Sequence, residues 1–276
     1  MQHQFDTSRG PAARSTPGAP LPIDPNAEPF HADAVPSPDD GQRVGVLLSQ
    51  GFTGSPASMV PWGRYLAEQG FGVAVPRLPG HGTTWQELNR TRWADWYGEV
   101  ERAFEKLRAD CDQVVVGGLS MGGSLALRLA ADRGRDVSGV LLVNPAVNIA
   151  RKDVLALPVL KHVVPAFPGI ADDIKKPGVE EHGYDRTPLK AAHSMLTSWK
   201  RLRDDLPRVT QPILMFRSVE DHVVDPSSAR IITTTVSSRD VREVLLENSY
   251  HVATLDNDAP TIFEQSAEFV RRVTGP

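Results

Sequence analysis

The sequence has one cysteine, Cys111, in 276 residues. No internal disulfide can form, and a reducing compartment is the natural setting. In "RADCDQVVV" acids flank the thiol on both sides, which opposes a thiolate and argues against Cys111 as a nucleophile. Long apolar runs are also missing, since none reaches the roughly 18 residues needed to span a membrane. The first residues carry no apolar stretch of the kind a secretory leader needs. A cytoplasmic protein without an integral membrane segment is therefore expected. Neither sign of charge dominates: the formal net charge is −4, with both signs mixed along the chain. That leaves no electrostatic footprint for nucleic acid or for an anionic membrane surface. There is no internal repeat. Residues 1–27 are poor in large apolar side chains and rich in Pro, Ala, Ser and Gly. Such a segment cannot bury enough surface to offset its ordering entropy, so a flexible tail is expected, followed by one domain over 28–276.

What is present from residue 42 onward alternates between two periods. "RVGVLLS" (43–49), "FGVAVPR" (71–77), "QVVVGG" (113–118), "GVLLVN" (139–144), "PILMFRS" (212–218) and "VREVLLE" (241–247) are short, β-branched apolar runs. Continuous apolarity suits strands covered on both faces, as in parallel sheets. Between them lie helical patterns, with Trp93, Trp96, Val100, Phe104 and Leu107 at three- and four-residue spacing and "APTIFEQSAEFVRRV" closing the chain. Strands alternating with helices imply right-handed crossovers and a mostly parallel, doubly wound α/β sheet. "EPFHADA" (28–34) suggests an added antiparallel edge strand. One interval breaks the rhythm. Between "GVLLVN" and "PILMFRS" a single crossover helix would suffice, yet the chain inserts about 146–208, including an amphipathic helix from about 188 to 206. The insertion reads as a cap over the carboxyl edge of the sheet, where ligands bind in such folds.

The run "QVVVGG" leads directly into "LSMGGSLALRLAADRG". Gly118-Leu119-Ser120-Met121-Gly122 is thus G-x-S-x-G at a strand-to-helix turn, the pattern of a nucleophile elbow. The serine must sit in a strained turn, so the positions two before and two after must lack side chains that would clash. The following helix then aims its N-terminal N–H groups at developing negative charge. A second loop, "SQGFTGSPASM", follows the first strand of the run. Its glycines at 51 and 54 let the backbone turn inward, and the N–H groups of Phe52 and Met121 would form an oxyanion hole.

Read together, "GFTGSP", "RLPGHGT", "GLSMGG", "EDHVVDP" and "NSYHVATLD" resemble the α/β-hydrolase superfamily, and more narrowly its small bacterial carboxylesterases and monoacylglycerol lipases with a compact cap. The likeness runs over about residues 28–272. It implies serine hydrolysis of carboxylic esters, a small-molecule ester or monoacylglycerol as substrate, Phe52 and Met121 as oxyanion donors, and no cofactor. The family usually has His-Gly where this chain has Gln50-Gly51, and Gln50 is expected to brace the oxyanion loop through its amide instead.

The general base must be a histidine whose other ring nitrogen is held by a carboxylate. His3 lies in the tail, His31 on the edge strand, and His162, His182 and His193 in the cap. His81, in "PGHGT", reads as a loop organiser that bonds backbone. His222 directly follows Asp221, and adjacent side chains diverge. No histidine pair has zinc-ligand spacing. His251 remains, in the loop after the last strand, and the order serine, acid, histidine is the one this fold uses. The acid is Asp221 or Asp225. Asp225 precedes Pro226 and a helix-like run, so a capping role accounts for it. Asp221 ends its strand, and the family pattern places the acid there. The other acid position of the superfamily carries Asn144. The expected set is Ser120, Asp221 and His251, with cap residues Leu155, Val159, Leu160, Val163, Phe167 and Ile170 lining or gating an acyl pocket. A thioesterase, amidase or acyltransferase would share this set, and a non-catalytic ligand-binding relative would keep the fold.

Overall fold

Each apolar run named above forms a strand. The computed structural model describes residues 23–149 and 152–275. Its main sheet contains β1 (Phe30–Ala32), β2 (Val44–Ser49), β3 (Gly72–Val75), β4 (Gln113–Leu119) and β5 (Gly139–Val143). A separate two-stranded ribbon follows, β6 (Ala166–Pro168) with β7 (Arg186–Pro188), before β8 (Ile213–Ser218) and β9 (Val241–Leu246) complete the sheet. The order across it is β1-β3-β2-β4-β5-β8-β9, with β1 antiparallel to β3 and all other neighbours parallel. The central strands β4 and β5 are buried along nearly their whole length, as continuous apolarity requires.

Helices cover both faces. On one, α3 (Trp93–Asp110) buries Trp96, Val100 and Phe104 beside Leu125 and Leu129 of α4 (Met121–Arg133). On the other, Trp62 and Leu66 of α1 (Val60–Glu68) meet Ile262, Phe269 and Val270 of α8 (Ala259–Thr274). Two short helices, α2 (Trp85–Leu88) and α5 (Leu157–Leu160), lie in the connections.

The insertion divides in two, which differs from the expectation of a cap over its full extent. The helix α6 (Leu189–Asp205) buries Ala191, Met195, Trp199 and Leu202 in the same core as α3 and α4. Arg128 of α4 reaches Asp205 at 2.6 Å and also pairs with Asp132, tying α6 into the helix layer. The α6 stripe is therefore the crossover helix that a parallel sheet demands, and only the irregular stretch before it lies over the sheet edge. After β8, α7 (Ser227–Thr235) buries Ile232 in the same layer.

The tail expectation is too long at its inner end. Residues 1–22 of it lie outside the described residues. Residues 23–27 are anchored to the domain at two points: the Asp24 N–H donates to the Gly82 carbonyl at 2.9 Å, its carboxylate caps the turn Pro25–Ala27, and Ala27 is fully buried. The two helical contributions above give a direct check. Trp199→Ala should cost about 3–5 kcal/mol in chemical denaturation, as expected for a large core side chain. Leu155→Ser, on the exposed part of the insertion, should cost no more than about 0.5 kcal/mol.

Candidate active site

Ser120 sits between β4 and α4 with φ 55° and ψ −115°, on the left-handed side of backbone space. Its N–H donates to the Val143 carbonyl at 2.9 Å, and its carbonyl accepts from the Ala146 N–H at 3.2 Å. The end of β5 thus fixes the turn on both sides. A Cβ at Gly122 would overlap the Ser49 carbonyl, and one at Gly118 would come within 2.7 Å of the same oxygen. Both elbow glycines are required by close backbone approach. The loop after β2, expected to supply an oxyanion donor, lies against the serine, because a Cβ at Gly51 would be 3.4 Å from the Ser120 Cβ. Among the described residues, neither the Phe52 N–H nor the Met121 N–H donates to a protein acceptor. The Phe52 ring leans on Trp96, with centroids 5.7 Å apart. Gln50 is fully buried, yet neither atom of its amide has a partner among the described residues. The expected bracing through that amide is not made.

At the end of β8 the chain turns, and Asp221 Oδ1 accepts the N–H groups of Val223 and Val224, both at 2.8 Å. Its Oδ2 faces His251 Nδ1 at 2.9 Å, and both side chains are 8% exposed. That contact makes Nδ1 the protonated nitrogen and leaves Nε2 to accept a proton. Asp225 is exposed and spends its carboxylate on the Ser227 N–H at 2.8 Å. His81 is buried, bonds the Pro79 carbonyl at 3.2 Å, and has its pKa lowered to about 4 chiefly by burial, so it is neutral at pH 7. Ser120 is linked to the pair through Asn144, the residue after Val143. Asn144 Nδ2 donates to the His251 carbonyl at 2.8 Å, and its Oδ1 accepts from the Ser218 N–H at 2.8 Å.

The charges around His251 compete. Burial disfavours its imidazolium, but the Asp221 hydrogen bond and the charges of Asp221, Glu181 and Asp173 outweigh this and raise its pKa above 6.5. Burial works against the Asp221 carboxylate too, yet the His251 bond and charge with the two N–H donors hold its pKa below the usual value.

Two acids of the insertion were not singled out in the sequence. Asp173 Oδ2 accepts the His251 N–H at 3.1 Å and the His222 N–H at 3.2 Å, while Oδ1 pairs with His222 Nδ1 at 2.7 Å. Glu181 lies against the oxyanion loop, where a Cβ at Gly54 would overlap its Oε1, and burial pushes its pKa up to about 7. Both stand in "GIADDIKKPGVEEHGY", which has no periodicity, and the partners of Asp173 lie 49 and 78 residues away. The expected acyl-lining set also changes. Leu155, Val159 and Val163 are 84%, 72% and 74% exposed, and Phe167 and Ile170 are exposed as well. Only Leu160 of that set packs beside Phe52, in a cluster with Leu157, Val164, Leu189 and Leu196.

Among the described residues no group of three or more His, Cys, Asp or Glu side chains could hold a metal ion, and no helix is long and apolar enough to cross a membrane. Residues 41–258 match the hydrolase family described as serine aminopeptidase S33. The chain belongs to that family. It is 40% identical over 255 residues to the thermostable monoacylglycerol lipase of Bacillus sp. (strain H-257), covering 92% of this chain and 98% of that one. It is 27% identical over 236 residues to a carboxylesterase of Bacillus subtilis (strain 168), covering 84% and 94%. A solved structure from work on the metagenome-derived lipolytic enzymes LipS and LipT superposes with TM-score 0.85 at 39% identity, over 91% of this chain and all of that one. The fold is that of the α/β-hydrolases, and the protein is a serine hydrolase.

Asp221→Asn should lower kcat on the order of 10⁴-fold with folding intact, because the imidazole loses its counter-charge and its preferred tautomer. Asp225→Asn should leave kcat unchanged, since asparagine caps as well as aspartate. In wild type, kcat/KM should rise with pH through a value above the ordinary histidine 6.5, as expected of a general base at His251 that must first lose its proton.

Proposed function

We propose that the protein hydrolyses carboxylic esters of short- to medium-chain acids, monoacylglycerols among them, in a reducing, cytoplasmic setting. The observation that carries this is the 2.9 Å contact between Asp221 and His251 at the edge where Ser120 occupies a left-handed elbow. Ser120 Oγ attacks the ester carbonyl as its proton passes to His251 Nε2. The resulting oxyanion is held by the N–H groups of Phe52 and Met121, which have no competing acceptor among the described residues. Collapse breaks the ester C–O bond, and the alcohol leaves with the proton from His251. Water, deprotonated by the same imidazole, then attacks the acyl-enzyme and releases the acid. The apolar cluster beside Phe52 suits an acyl chain. Glu181, a half-buried carboxyl next to the oxyanion loop, suits the hydroxyl groups of a polyol leaving group. The names of the relatives support the same reading.

A panel of nitrophenyl esters, monoacylglycerols, a thioester, and an amino-acid anilide, with and without added alcohol acceptor, tests the class. Monoacylglycerols and short esters should dominate, and Ser120→Ala should abolish both turnover and organophosphonate labelling. A dominant anilide activity would instead favour amide hydrolysis. At pH 8, Glu181→Gln should raise KM for a monoacylglycerol about tenfold, as for one lost charge-assisted hydrogen bond, and leave a nitrophenyl ester nearly unaffected.

A further inference from the structure

The catalytic histidine of a hydrolase of this kind must be held to a fraction of an ångström, and a hydrogen bond from its ring to an acid fixes only one end of it. In this protein the main chain of His251 is held as well, on both sides and by side chains. Its carbonyl accepts from Asn144 Nδ2 at 2.8 Å, and its N–H donates to Asp173 Oδ2 at 3.1 Å. Asn144 is itself locked to the Ser218 N–H and sits at φ 42°, so it belongs to the rigid sheet edge. Asp173 belongs to the insertion.

The same carboxylate also takes the N–H and the ring Nδ1 of His222, the residue that follows Asp221. One buried acid therefore grips the backbone of the acid loop and of the base loop together. Its side chain is 9% exposed, so this charge is out of water and stabilised by the donors it gathers. The Asp173 carbonyl adds a bond from the Val252 N–H at 3.1 Å. A second acid, Asp256, fixes the segment independently by accepting the N–H groups of Lys175 and Lys176 at 2.7 and 2.9 Å and that of Tyr250 at 2.9 Å. Loss of the Asp173 carboxylate would thus leave the insertion docked, and the His251 carbonyl held by Asn144, while freeing the His251 N–H.

We propose that Asp173 is a positioning residue through which the insertion aligns His251 with Asp221, so that this segment completes the base as well as covering it. The inference rests on the reading of His251 as general base. Asp173 acts by geometry and by charge, and the two separate by substitution. Asp173→Ala removes both. Asp173→Asn keeps an oxygen for the two N–H groups, removes the negative charge, and turns an NH2 in place of Oδ1 toward His222 Nδ1. The charged groups facing His251 are Asp221 from the loop after β8 and Glu181 and Asp173 from the insertion, all of which favour its protonation.

The test measures kcat, KM and the pH profile of kcat/KM with nitrophenyl butyrate on the full chain, with active sites titrated by an organophosphonate. Asp173→Ala should lose about 10- to 100-fold in kcat per active site, with KM within about threefold, as for a misplaced but present base. Asp173→Asn should recover kcat to within about threefold of wild type. The acidic limb should move to lower pH in both variants, because each lacks a charge that favours the imidazolium. A purely structural role predicts a lower Tm with kcat per site and the acidic limb unmoved, and that result overturns the proposal. Should Asp173→Ala fail to fold, an unmoved acidic limb in Asp173→Asn overturns it equally. Ser120→Ala, assayed alongside, tells two failures apart. Turnover surviving there removes the reading of the site and the proposal with it. An inert Ser120→Ala beside wild-type-like Asp173 variants removes the proposal alone.

Discussion

Everything at the carboxyl edge depends on how closely α4 approaches the end of β2. The Gly122 Cα lies so near the Ser49 carbonyl that no other residue fits, and Gly118 faces the same oxygen one strand over. This approach sets the elbow and brings the start of α4 against the end of β2, where, among the described residues, the Phe52 and Met121 N–H groups have no acceptors of their own. The acid and the histidine are placed by other elements, but their positions matter only relative to this turn. A side chain at either glycine would push α4 away from the sheet and dismantle the arrangement from its centre.

Around that centre, three carboxylates and one imidazole lie near one another, and their environments push Asp221 and Glu181 in opposite directions. Asp221 gathers two N–H donors and the His251 ring, so it stays ionised despite burial. Glu181 has no such donors among its described contacts, and desolvation lifts it toward neutrality near pH 7. Asp173 is held by main-chain donors and by His222. Donor count, rather than depth of burial, distinguishes the first and the second.

The parts of this arrangement that are local in sequence are legible there. Strand runs with continuous apolarity, the G-x-S-x-G turn and Asp221 in the turn after β8 each carry their signal within about ten residues, the scale of one strand and its turn. The even spacing in α6 was equally visible, but periodicity reports a buried face without saying what buries it, and α6 packs on α3 and α4 rather than over the site. Asp173 and Glu181 were not legible, because irregular segments have no period and their partners are distant in sequence. Gln50 shows the opposite limit. The family resemblance suggested a bracing amide, whereas the buried side chain has no partner for its amide among the described residues.

The backbone of Ser120 has a consequence for how this protein can be improved. A non-glycine residue at φ 55° and ψ −115° carries strain of about 1–3 kcal/mol, which the surrounding packing must offset. Glycine would adopt the same conformation freely, so a selection for thermal stability alone would favour replacing the one side chain that gives the turn its purpose. Stabilising changes therefore have to be sought in the helix layers, away from the elbow, where a gain in folding free energy does not compete with chemistry.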